Sequence, residues 1–125
     1  MDRNYRNERY YFRFVGISPK LALLLKEKFP HWEVDINKFK DGENFVASFK
    51  LLAEKDYSEL TIFIKENKIL QATYGLFIAL ESNKDMDGVS VPHYVLEVYK
   101  KIGGNFDFSF SWRMKFKKIG IFFQK

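Results

Sequence analysis

Cysteine is absent from this sequence, and with it go any disulfide framework, any thiolate metal site and any cysteine nucleophile. Such a composition fits a reducing compartment. Histidine is scarce. His31 follows the Pro that ends one helix, His93 falls in the first turn of another, and neither has a neighbour at metal-ligand spacing. For both, a structural place at or near the surface outweighs a ligand or general-base role. Long apolar runs are missing too: no stretch approaches the roughly 18 residues of a membrane span. The opening MDRNYRNERYYF carries charge without the apolar core of a signal peptide. Also lacking are a Gly-rich phosphate loop, a nucleophile elbow around any Ser, an internal repeat and a low-complexity segment. Together these absences lead us to expect a cytoplasmic, non-enzymatic protein with no cofactor and no metal.

What the sequence has in quantity is aromatic side chains, 18% of 125 residues, fourteen of them Phe. With hydrophobic residues at 46% the chain can bury roughly two-thirds of its unfolded surface, so a single domain over residues 1–125 is expected. The net charge of +5 arises from 21 basic and 16 acidic residues, a modest excess that does not by itself indicate nucleic acid. Its placement is more telling. Arg3, Arg6, Arg9 and Arg13 crowd the first strand and its lead-in, and Lys115, Lys117, Lys118 and Lys125 form a second basic region.

The most legible stretch is DGVSVPHYVLEVYKKIGGNFDFSFSW, residues 87–112. Asp87-Gly88 marks a turn, Ser90 is a candidate helix cap, and Pro92 falls in the first turn, where its missing N–H costs nothing. Val91, Val95, Val98 and Ile102 build one apolar stripe before Gly103-Gly104 stops the helix. The period then changes from 3.6 to 2. Phe106, Phe108, Phe110, Trp112, Met114 and Phe116 alternate with polar residues in a long strand with one aromatic face.

Earlier in the chain, Tyr10, Phe12 and Phe14 alternate with Arg9, Tyr11 and Arg13, which predicts a strand of about eight residues ended by Gly16. Ser18-Pro19 caps a helix with the stripe Leu21, Leu24, Leu25 and Phe29, blocked by Pro30. Trp32, Val34 and Ile36 form a second strand, and Phe45, Ala47, Phe49 and Leu51 a third. Asp41-Gly42 between them predicts a type I′ hairpin, which sets Trp32 opposite Leu51, Val34 opposite Phe49, Ile36 opposite Ala47 and Glu33 opposite Lys50. Asp56 with Glu59 resembles a capping box ahead of a helical stripe of Tyr57, Leu60, Phe63 and Ile64. The run Leu76-Phe77-Ile78-Ala79-Leu80 is apolar without alternation, which suits a strand covered on both faces, or at least placed centrally. Residues 119–123, IGIFF, make an apolar tail that reads as a further strand or a packed terminus.

The element order is β-α-β-β-α-β-α-β. It predicts an α+β fold, a ferredoxin-like split βαβ core (β-α-β-β-α-β) extended by a C-terminal α-β, with the helices on one face of a mixed sheet.

Several stretches invite a chemical reading. Residues 83–88, NKDMDG, resemble the opening of a calcium loop, but the twelfth position is Tyr94 in place of a bidentate Glu, and an Asx-rich turn explains them better. Ser18, Ser90, Ser109 and Ser111 suit caps and strand surfaces. Glu33 and Asp35 share a strand face, where charge that keeps an edge soluble is commoner than acid/base chemistry. Arg9, Tyr11 and Arg13, with Arg113 and Lys115 on the last strand, form a basic and aromatic face like that on which RNA-recognition domains stack bases. In the third strand, however, Asp41 stands where that motif needs a base, and Glu43 and Ser48 stand where it needs aromatics. A protein-binding face built from the same residues fits better, with single-stranded RNA as the alternative partner.

The stretches YYFRFVGISPKLALLLKEKF and GVSVPHYVLEVYKKIGGNFDFSF, with the GVSVP helix start running into a GGNFDFSF strand, resemble a group of small bacterial α+β proteins. These are domains of unknown function found among immunity proteins of contact-dependent-inhibition and polymorphic toxin systems. The resemblance implies a protein that binds a cognate toxin domain, often a nuclease, and blocks its active site or substrate groove. It carries no site residues over. A basic toxin would need a local acidic patch on this +5 chain, and Glu33 with Asp35, or Glu81 with Asp85 and Asp87, are the candidates.

Overall fold

The computed structural model describes residues 6–83 and 90–112. Along the chain run β1 (Arg6–Ile17), α1 (Pro19–Lys28), β2 (Asp35–Lys38), β3 (Phe45–Lys50), α2 (Glu59–Glu66), β4 (Tyr74–Ser82), α3 (His93–Ile102) and β5 (Asn105–Trp112), with 3-10 turns at Pro30–Trp32 and Gln71–Thr73. The structure is thus α+β, and the five strands among the described residues form one mixed sheet in the order β2-β3-β1-β4-β5. β1 lies in the middle, antiparallel to both β3 and β4. β2 pairs antiparallel with β3, and β5 runs parallel to β4. β4 is therefore placed centrally, in keeping with its apolar run, but it is not covered on both faces: Leu76, Ile78 and Leu80 are buried, while Phe77 and Ala79 are only half-buried. Among the described residues no helix is long and apolar enough to cross a membrane.

Period-2 alternation decides which side of the sheet is buried. Tyr10, Phe12 and Phe14 of β1, Ala47 and Phe49 of β3, and Tyr74, Leu76 and Ile78 of β4 belong to one buried cluster. Ala22 and Leu25 of α1, Leu60, Phe63 and Ile64 of α2, and Val95 and Val98 of α3 belong to the same cluster. All three helices accordingly cover the same sheet face. The intervening residues of β1, namely Arg9, Tyr11 and Arg13, stand on the other. Ser18 caps α1 as its sequence predicts, its Oγ accepting from the Leu21 amide at 3.1 Å.

Several local expectations give way to longer-range forces. β1 does not stop at Gly16. That glycine, at φ +78°, forms a bulge that shifts the register between Val15 and Ile17, and the strand continues. In α1, Ala22 takes the buried position and Leu24 is exposed. Trp32 is not in a strand: Pro30 opens a 3-10 turn, Glu33 is left-handed at φ 52°, and β2 begins only at Asp35. The reason is aromatic packing. The Trp32 ring stacks on Phe29 at 3.9 Å between centroids and leans on Phe49 and Tyr57.

Ile36 does pair with Ala47, so the hairpin register stands, while Trp32 and Val34 have no strand partners. Its turn is not type I′, because only Gly42 has positive φ. Asp41 instead accepts from the Glu43 and Asn44 amides, each at 2.9 Å, and closes a wider loop. Likewise the capping box at Asp56 does not form: its carboxylate accepts from the Ser58 amide at 3.0 Å, and α2 starts at Glu59. Ser90 does not cap α3; Pro92 occupies the N-cap position and its carbonyl takes the Val95 and Leu96 amides. The Asp87-Gly88 turn, the last strand beyond Trp112 and the tail 119–123 lie outside the described residues.

Candidate protein-binding face

Strand pairing arranges the open face in rows across the sheet. One row runs Lys50, Tyr11, Phe77, Asp107 across β3, β1, β4 and β5. The next runs Asp35, Ser48, Arg13, Gly75, Asn105, and a third holds Arg9, Ala79 and Ser109. Two aromatic rings thus lie side by side at the centre, Tyr11 and Phe77, with centroids 6.2 Å apart. The residues bordering them, Ser48, Gly75, Ala79 and Ser109, are small.

Arg13 is fixed over this pair. Its guanidinium carbon lies 4.0 Å from the centroid of the Phe77 ring, and its Nη2 donates to Asp107 Oδ2 at 3.3 Å. An exposed ion pair contributes on the order of 0–1 kcal/mol, and a surface cation–π contact about 0.5–1 kcal/mol. Their consequence is positional: they hold the guanidinium over the Phe77 ring and beside Asp107. Arg9, on the same face, has a buried Nε with no hydrogen-bond partner.

Beside Tyr11 the face dips into a groove of about 390 Å³, lined among others by Trp32, Glu33, Asp35, Lys50 and Lys55. The left-handed turn at Glu33 and the short strand after it set both carboxylates along this groove. Lys55 Nζ donates to the His31 carbonyl, which closes one end. Glu33 and Lys50, expected to be partners across a hairpin, are therefore brought together after all, as lining residues of a groove.

The expected site residues separate as follows. Arg9, Tyr11 and Arg13 share the open face, and Glu33 and Asp35 join them through the groove. Glu81 is on the same face, opposite Asn7 in the register of β1 and β4. Asp85, Asp87, Arg113 and Lys115 lie outside the described residues. Phe77 and Asp107 complete the cluster without having been expected. A signal for Phe77 exists in the run Leu76-Phe77-Ile78-Ala79-Leu80-Glu81, where even positions are all large aliphatics and odd positions end in a charge. Asp107 could be found only from the strand order.

His93 is 82% exposed by side chain and meets Glu97 one turn on, at 3.3 Å. Among the described residues, no group of three or more His, Asp or Glu side chains could hold a metal ion. No family model matches the chain, and no curated protein or solved structure matches it either.

Proposed function

We propose that the chain is a non-enzymatic protein-binding module, an immunity protein whose open sheet face binds and neutralises a toxin domain. We read β1 to β4 with α1 and α2 as a ferredoxin-like split βαβ core, extended by α3 and β5, which leaves one sheet face for a partner. The observation that carries the reading is the central cluster, in which Arg13 is held on Phe77 beside Tyr11 and tied to Asp107. Binding energy concentrates on Tyr and Arg anchors of this kind, and the small residues around them allow close approach.

Charge favours a protein partner over nucleic acid. Asp35 and Asp107 stand on either side of the basic centre, so a phosphate backbone crossing the sheet meets a carboxylate on one flank or the other. Glu33 and Asp35, set in the groove beside Lys50 and Lys55, offer carboxylates to a basic toxin within a mixed-charge contact.

Affinity capture from native cell lysate after nuclease treatment tests this, followed by calorimetry and a cell-protection assay with the captured protein. A stoichiometric protein partner is expected, toxic alone and harmless in complex. Replacing Tyr11 and Phe77 together by Ala should weaken its binding by roughly 30-fold or more, equivalent to about 2 kcal/mol, with the circular dichroism unchanged. Recovery of RNA alone, lost on nuclease treatment, overturns the proposal.

A further inference from the structure

The two edges of the sheet are built differently. β2, at one edge, is four residues long and carries Asp35 and Lys38, the short and charged form that discourages pairing with another chain. β5, at the other, is eight residues long, and its only charged residue is Asp107. Among the described residues no strand pairs with its outer side. Phe106, Phe108 and Phe110 line up with Leu76, Ile78 and Leu80 of β4 and so face the helix side of the sheet. There Tyr99 of α3 reaches Phe106 edge-to-face at 5.8 Å, yet the three rings remain 47%, 47% and 38% exposed. An edge left unpaired among the described residues and bearing an aromatic stripe is a template for strand addition.

We infer that this edge pairs with β5 of a second copy of the chain, antiparallel about a two-fold axis at Ser109, joining two five-stranded sheets into one of ten. The sequence of the strand suits its own image. With Ser109 opposite Ser109, Phe108 of each copy stands opposite Phe110 of the other, and Asp107 faces position 111 instead of its own counterpart. Charge does not oppose the approach, because the one carboxylate on β5 is already paired with Arg13 of its own chain. The four central Phe rings then form one continuous patch across the axis, on the side of the sheet that the helices leave partly uncovered. A two-fold contact uses the same surface twice and closes, so it stops at a dimer. This association runs along the sheet edge and does not rest on the proposed toxin-binding role.

The absence of cysteine makes the test direct. Sedimentation equilibrium of the full chain should give twice the 14.9 kDa mass, and Phe108→Lys, which sets a charge at an already exposed position, should return it to one chain with unchanged circular dichroism. Under mild oxidation Ser109→Cys should form an intermolecular disulfide, since Cβ atoms directly opposed across a non-hydrogen-bonded antiparallel pair approach to about 4.5 Å, within reach of a disulfide. Ser58→Cys, exposed at the start of α2, should not. A single-chain mass at every concentration overturns the inference. So does a dimer that survives Phe108→Lys, a failure of Ser109→Cys to cross-link, or equal cross-linking through Ser58→Cys.

Discussion

Gly75 occupies a position where one methyl group has no room. A Cβ there would lie 2.3 Å from the Asn105 carbonyl oxygen and 2.6 Å from its nitrogen, both in a paired backbone that cannot swing aside. Gly75→Ala must therefore push β5 away from β4. Denaturant unfolding is expected to show a loss of about 1–3 kcal/mol. Gly42→Ala is the informative comparison, since nothing lies within 4 Å of its Cβ but its φ is +77°. Strain alone acts there, and the loss should be about 1–2 kcal/mol with no change in β5.

Tyr10 makes a different residue-scale prediction. Burial pushes its phenol upward, and a hydrogen bond to the Glu8 carboxylate adds to the shift. Since the folded value lies above the unfolded one near 10.0, the stabilisation is complete below that pH and is lost as pH rises toward the folded value. In an alkaline titration followed by phenolate absorbance, Tyr10→Phe should remove signal from the late step that accompanies unfolding, not from the early one.

At the scale of elements, what is legible in the sequence is what alternation alone decides. The register that puts Ile36 opposite Ala47 follows from keeping one face apolar, and Arg9, Tyr11 and Arg13 fall on one face for the same reason. The turn chemistry is less determinate. Asp41 can serve a tight turn by adopting positive φ or a wider loop by accepting two amides, and the wider loop prevails. Trp32 alternates correctly with Val34 and Ile36, yet stacking on Phe29 holds it in a 3-10 turn. That contact depends on how α1 docks, which local pattern does not record. Phe77 and Asp107 stay hidden for a similar reason, because only the order of strands across the sheet brings them to Arg13. α1 offers a simple test of local capping: Ser18→Ala removes the acceptor of the Leu21 amide and should cost about 1 kcal/mol in thermal or denaturant unfolding.

At the scale of the whole molecule, one sheet separates two environments. Its helix side holds the aromatic core and its other side a mixed-charge surface around Tyr11 and Phe77. β1, the earliest strand in the sequence, sits at the centre of this sheet, and residues 11–14 pair with β3 on one side and β4 on the other. Protection should therefore fall outward from the middle. In native-state hydrogen exchange the amides of residues 11–14 are expected to be slowest within the chain and those of β2 fastest, that edge opening without the rest, while β5 is slowed by its pairing with a second copy. The same arrangement orders assembly in time. β1 can join β3 as soon as residue 50 has been synthesised, but its second row of hydrogen bonds must wait for residues 74–82. β1 is enclosed only when β4 has been made, and β4 in turn only when β5 adds.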